Sequence, residues 1–150
     1  MSRSTTTITC TDGPGKQPVK LLADTSALLA LAMRDDKHHG AAVQFVRSHP
    51  HARLVLTELV VAEVATRVRA RAGAAQAAAL ARSLLESRRY ELLFVDIDLL
   101  RGAIERMARL ADKRLSLTDC ASFELMERLG LSAAFTFDHD FRDCGFEMLP

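Results

Sequence analysis

The stretch VKLLADTSALLALAM, Val19–Met33, holds the key to the architecture. VKLLA is short and apolar enough for a buried strand, TSALLALAM carries apolar residues at helical spacing, and Asp24 alone stands between them. The same alternation continues along the chain. After the polar loop RDDKHHG comes a short helix, AAVQFVRS, stopped by Pro50, and then a strand, RLVLT. TELVVAEVATRVRARA reads as a helix with Thr57 as N-cap and Val60, Val61, Val64 and Val68 on one face, ended by Gly73. The alanine-rich run AAQAAALARSLLESRR favours a further helix, and ELLFVDI reads as a strand. Asp98 to Ala111 keeps helical spacing, Ser116 opens another helix closed by Gly130, AAFTF is a strand, and the tail FRDCGFEML offers an edge strand. Alternating strands and helices predict an α/β fold of three layers, α/β/α, with a mainly parallel central sheet.

Composition narrows the class. A chain of 150 residues, 49% apolar, suits one domain with a substantial core. That domain is expected over 19–150, with residues 1–18, polar and broken by Gly13, Pro14 and Gly15, expected as a disordered leader. With 20 basic against 19 acidic residues there is no global attraction to nucleic acid, so any such binding must come from local patches. No apolar run approaches the roughly 20 residues of a membrane span, and a cytoplasmic location without membrane contact is expected. The three cysteines show no CxxC spacing, which argues against a disulfide framework or a zinc site. No GxGxxG or GxxxxGK[ST] loop is present to cradle a nucleotide.

Four acids stand where apolar elements meet a loop or a helix start: Asp24, Glu63 inside LVVAEVA, Asp119 in LSLTDCA and Asp138 in AFTFDHDF. Each has a structural explanation. Asp24 suits an N-cap, Asp119 lies three residues after Ser116 as in a capping box, Asp138 suits an Asx-turn, and Glu63 suits a solvated position beside the valine face. As a set they point to more, because ligands of open parallel sheets sit at the carboxyl ends of the strands. Gathered carboxylates repel one another unless cations neutralise them, and Mg²⁺ or Mn²⁺ prefers oxygen ligands.

The blocks LLADTSALLAL, LTELVVAEV, LSLTDCAS and FTFDHDF resemble, in order, the four acidic blocks of the PIN-domain family, over Val19 to Pro150, and the compact length is similar to that of its VapC-type toxins. The resemblance implies a metal-dependent ribonuclease acting on tRNA or ribosomal RNA, held inactive by a cognate antitoxin and commonly homodimeric. It implies Asp24 and Asp119 as principal metal ligands, with Glu63 and Asp138 as ligands or orienters of water, and Asp140 as a further acid beside Asp138. Ser26, Thr118 and Thr136 occupy positions where the family commonly has a hydroxyl supporting the carboxylates. Arg67, Arg69 and Arg71 at the end of the Glu63 helix, with Lys113 and Arg114 before Asp119, offer a basic rim for RNA. His38 and His39 read as part of a solvated loop, since adjacent rings do not face one ion. Two other classes fit less well. A catalytically silent interaction module gives no reason to retain four repelling acids, and a magnesium phosphatase of the haloacid-dehalogenase type needs DxD where this chain has Asp24-Thr25-Ser26.

Overall fold

A computed structural model describes residues 18–150. The leader expected over 1–18 lies, but for Pro18, outside the described residues. Five strands form one sheet in the order β3-β2-β1-β4-β5: β1 Lys20–Ala23, β2 Arg53–Thr57, β3 Tyr90–Leu93, β4 Ala133–Phe135 and β5 Glu147–Leu149. Every pairing is parallel. Successive side chains of a strand face opposite sides, and the apolar runs fill both. Leu21 and Ala23 enter one core with Leu54, Leu56 and Phe135, whereas Leu22 enters the other with Val55 and Ala134.

Helices cover each face. On the first pack α1 Thr25–Ala32, α2 His39–Ser48, α3 Glu58–Ala72 and α4 Ala74–Glu86; on the second pack α5 Ile97–Arg109, α6 Leu117–Leu129 and the short α7 Asp140–Asp143. This is the three-layer α/β/α arrangement expected. Thr57 caps α3 as expected, its hydroxyl accepting from Val60 N–H, and Val60, Val64 and Val68 are buried while Val61 is only half-buried. Gly130 ends α6 with φ +66°, a left-handed conformation that costs a residue bearing Cβ about 1–2 kcal/mol.

The third strand is shorter than the run ELLFVDI. Pairing stops at Leu93, the Glu58 carboxylate accepts from Val95 N–H, and Asp96 caps α5 by accepting from Leu99 N–H at 2.7 Å. An N-cap has extended backbone angles, so apolar periodicity continues through it and cannot mark the boundary. The expected edge strand at the tail exists as β5, preceded by α7, which is too short to register as a helical period.

Candidate active site

From β1 the strand order runs outward in both directions, so the topological switch point lies between β1 and β4, where open α/β sheets leave a crevice. The register pairs Ala23 with Phe135, which sets the next residues, Asp24 and Thr136, side by side. Asp24 is only 3% exposed and Thr136 is fully buried. The Asp24 carboxylate accepts through Oδ2 from Ser26 N–H at 3.1 Å, Ser26 Oγ–H at 2.6 Å and Thr136 Oγ1–H at 2.9 Å. The two hydroxyls are themselves held: Ser26 Oγ accepts from Phe137 N–H and Thr136 Oγ1 from Asp138 N–H. Ser26 and Thr136 thus both donate to the Asp24 carboxylate. The hydroxyl of Thr118 makes no hydrogen bond among the described residues.

Asp119 arrives from the opposite layer on the first turn of α6. Its Oδ2 accepts from Ser116 N–H and Oγ–H, both at 2.8 Å, while Ser116 Oγ accepts from Asp119 N–H, completing a capping box. Asp138 follows β4 and accepts through Oδ1 from Asp140 N–H at 3.0 Å. Each structural explanation for these acids is therefore real, and each leaves one carboxylate oxygen without a partner among the described residues. Burial pushes the Asp24 carboxyl above the usual range despite the opposing bonds from Ser26 and Thr136, and the Asp138 charge pushes it further. Asp119 is also raised, first by burial, against the Ser116 bonds, and then by the charges of Asp24 and Asp138. The charge of Asp138 raises both of those carboxyls.

Glu63 stands apart. It lies half-buried on α3, where its Oε1 accepts from Arg67 at 2.7 Å in an i, i+4 pair worth a few tenths of a kcal/mol. Among the described residues no three acidic, histidine or cysteine side chains converge closely enough to hold an ion as placed. The donor chemistry nonetheless fits a hard divalent cation. Three carboxylates share the mouth of the crevice, each offers a free oxygen, and two of them have their charged form disfavoured by burial, which a bound cation would reverse. Of the basic rim, Arg67 is occupied by Glu63 and Lys113 lies 3.5 Å from Asp143, while Arg69, Arg71 and Arg114 are exposed.

One site feature lay outside the sequence reading. His38 is not simply solvated: its ring is half-buried and stacked on Phe137, with centroids 4.3 Å apart and planes 8° from parallel. The two residues are 99 positions apart in the chain, so only the fold joins them.

The PIN-domain family model matches residues 21–147. The 23S rRNA-specific endonuclease VapC20 of Mycobacterium tuberculosis is 31% identical over 126 residues, spanning 84% of this chain and 95% of that protein. The crystal structure of VapC20, described as a toxin that cleaves the sarcin–ricin loop, superposes with a TM-score of 0.81 at 30% identity, covering 87% of this chain and 99% of that one. The VapBC2 structure from Rickettsia felis, bound to a DNA fragment from its promoter, has a TM-score of 0.65 at 12% identity over 87% of this chain and 97% of that one. The FitAcB structure from Neisseria gonorrhoeae has 0.62 at 16% over 87% and 96%. These last two share the fold. With a parallel sheet whose switch point carries Asp24, with Asp138 after β4 and Asp119 on α6, and with a family match over nearly the whole described domain, this chain belongs to the PIN-domain family, as a VapC-type member.

Proposed function

We propose that this protein is a Mg²⁺- or Mn²⁺-dependent endoribonuclease that hydrolyses ribosomal RNA at a sarcin–ricin-type loop, the toxin of a toxin–antitoxin pair, active as a homodimer and restrained by its cognate antitoxin. The observation that carries the reading is the buried Asp24 carboxylate at the switch point, fixed through one oxygen and free at the other. Similarity to VapC20 along 95% of that protein's length favours ribosomal RNA over tRNA, and the paired names VapBC2 and FitAcB favour a protein partner.

Asp24, Asp119 and Asp138 would hold the metal, with Glu63 joining or orienting water once Arg67 releases it. Bound there, a divalent cation supplies a water acidic enough to lose its proton near neutral pH and neutralises charge on the phosphate. Water oxygen bonds to phosphorus, the bond to the leaving ribose oxygen breaks, and that oxygen takes up a proton. Ser26 and Thr136 keep Asp24 in one rotamer, so binding does not have to order it. Ser26→Ala removes one donor to Asp24 and the acceptor of Phe137 N–H, and is expected to slow cleavage about 10–100-fold. Initial rates at saturating Mn²⁺ check this, and an unchanged rate would show that Asp24 needs no such support.

The test of the function is incubation of the purified, antitoxin-free protein with 23S rRNA and Mn²⁺ or Mg²⁺, beside Asp119→Asn and a chelator control. A discrete product that requires both the metal and Asp119 is expected. Intact RNA in every lane would instead favour a silent module, for which the Glu63–Arg67 pair is the one supporting observation.

A further inference from the structure

We infer that His38 is a substrate-binding residue of this site, donating a hydrogen bond from its imidazole to the RNA phosphate backbone; the inference rests on the ribonuclease reading. Its placement follows from the fold. Phe137 lies between Thr136, which bonds Asp24, and Asp138, and its own N–H is tied to Ser26 Oγ. A ring stacked on Phe137 therefore rests on the residue between Thr136 and Asp138, on the side of the sheet covered by α1–α4 and opposite the layer that delivers Asp119.

The ring is held before any ligand arrives. Asp36 Oδ1 accepts from His38 N–H at 2.8 Å, which fixes the backbone of the α1–α2 loop, and the parallel stack limits the side-chain rotamers. Preordering of this kind lowers the entropy lost on binding. The nitrogens, however, are left over. His39, His49 and His139 each use Nδ1 within the protein, whereas neither ring nitrogen of His38 has a hydrogen-bond partner among the described residues. An imidazole keeps an N–H donor whether neutral or protonated.

Electrostatics give the donor a task. A mouth lined by Asp24, Asp119 and Asp138 repels the RNA backbone, and two of the cations expected to offset this, Arg67 and Lys113, are paired with Glu63 and Asp143. Phosphate contacts fix the register of a nucleic acid on its protein, and a donor held on Phe137, the neighbour of Asp138 in the chain, would help set which phosphodiester meets the acids.

The stack could equally be a clamp that only holds the α1–α2 loop, and one substitution separates the two roles. His38→Phe keeps a ring on Phe137 and removes the donor; His38→Ala removes both. In the full chain with Mn²⁺, both variants are expected to raise KM for a sarcin–ricin hairpin RNA about tenfold, with kcat within about threefold of wild type. In parallel, binding of the same fluorescently labelled hairpin is measured by anisotropy in the Asp119→Asn background, where both variants are expected to weaken Kd about tenfold. His38→Phe with wild-type KM and Kd would overturn the inference, whatever His38→Ala does. Should the wild type bind the hairpin yet cleave nothing, the nuclease reading fails while the anisotropy series still decides the role of His38. Should it neither bind nor cleave, both fall.

Discussion

Asp24→Asn is expected to fold normally and to cleave ribosomal RNA at least about 10³-fold more slowly than wild type, roughly 4 kcal/mol of transition-state stabilisation. Asparagine has the shape of aspartate, and its carbonyl oxygen can accept the bonds from Ser26 and Thr136 that Oδ2 accepts now. What disappears is the charge and the carboxylate oxygen that has no partner among the described residues. The fold should gain from the change when no metal is present. Burial raises the Asp24 carboxyl above the ordinary carboxylate value of 3.8, so ionising it costs more in the folded state than in the unfolded. A raised carboxyl contributes stability that is fully present below pH 3.8 and is lost as pH rises through the folded value. In chelator at neutral pH, Asp24→Asn should therefore melt at or above the wild-type temperature. A variant that is both inactive and less stable would make Asp24 a structural cap, and retained metal-dependent turnover would remove it from the chemistry altogether.

The dual character of these acids explains how far the sequence could be read. Strand, helix and layer were legible because a parallel sheet buried on both faces leaves continuous apolar runs, and VKLLADTSALLALAM shows strand, cap and helix in fifteen letters. Asp24 was legible as a site for the same reason that it was legible as a cap: both require a carboxylate at a strand's carboxyl end where a helix starts. Asp138 could not be separated from Asp140 by spacing. Only the fold shows that the charge of the first reaches Asp24 and that the second opens α7. Glu63, expected among the other acids, also pairs with Arg67 one turn along its own helix, a local contact that the motif does not show. The contacts that escaped reading join residues distant in sequence: His38 with Phe137, Asp96 with Arg128, and buried Arg106 with Glu124 and Glu127. Periodicity reports which face a residue occupies, not which other element covers it.

Removing divalent metal is expected to abolish cleavage, again by at least about 10³-fold, and to change the sign of the pH dependence of stability. Without metal, Asp24 and Asp119, both raised by burial, make the fold more stable toward acid and less stable as pH climbs above 3.8. Asp96 works in the opposite sense, since the bond from Arg128 lowers its carboxyl, but its contribution is lost only as pH falls from 3.8 toward that lowered value, outside the window in question. Adding Mn²⁺ reverses the slope, because the ion binds the ionised carboxylates and must displace any protons they carry. Its stabilising increment should grow as pH rises from about 4 to 7, reaching about 2.7 kcal/mol, or roughly 10 °C in melting temperature, when free metal is a hundredfold above Kd. Melting curves at several pH values, with Mn²⁺ and with chelator, measure both slopes in one experiment. Asp119→Asn should flatten each of them, since it deletes one raised carboxyl and one ligand together. Parallel curves with and without metal would mean that the free oxygens of Asp24, Asp119 and Asp138 bind no ion. Crossing curves combined with unbroken RNA would mean that the ion binds but serves some other chemistry.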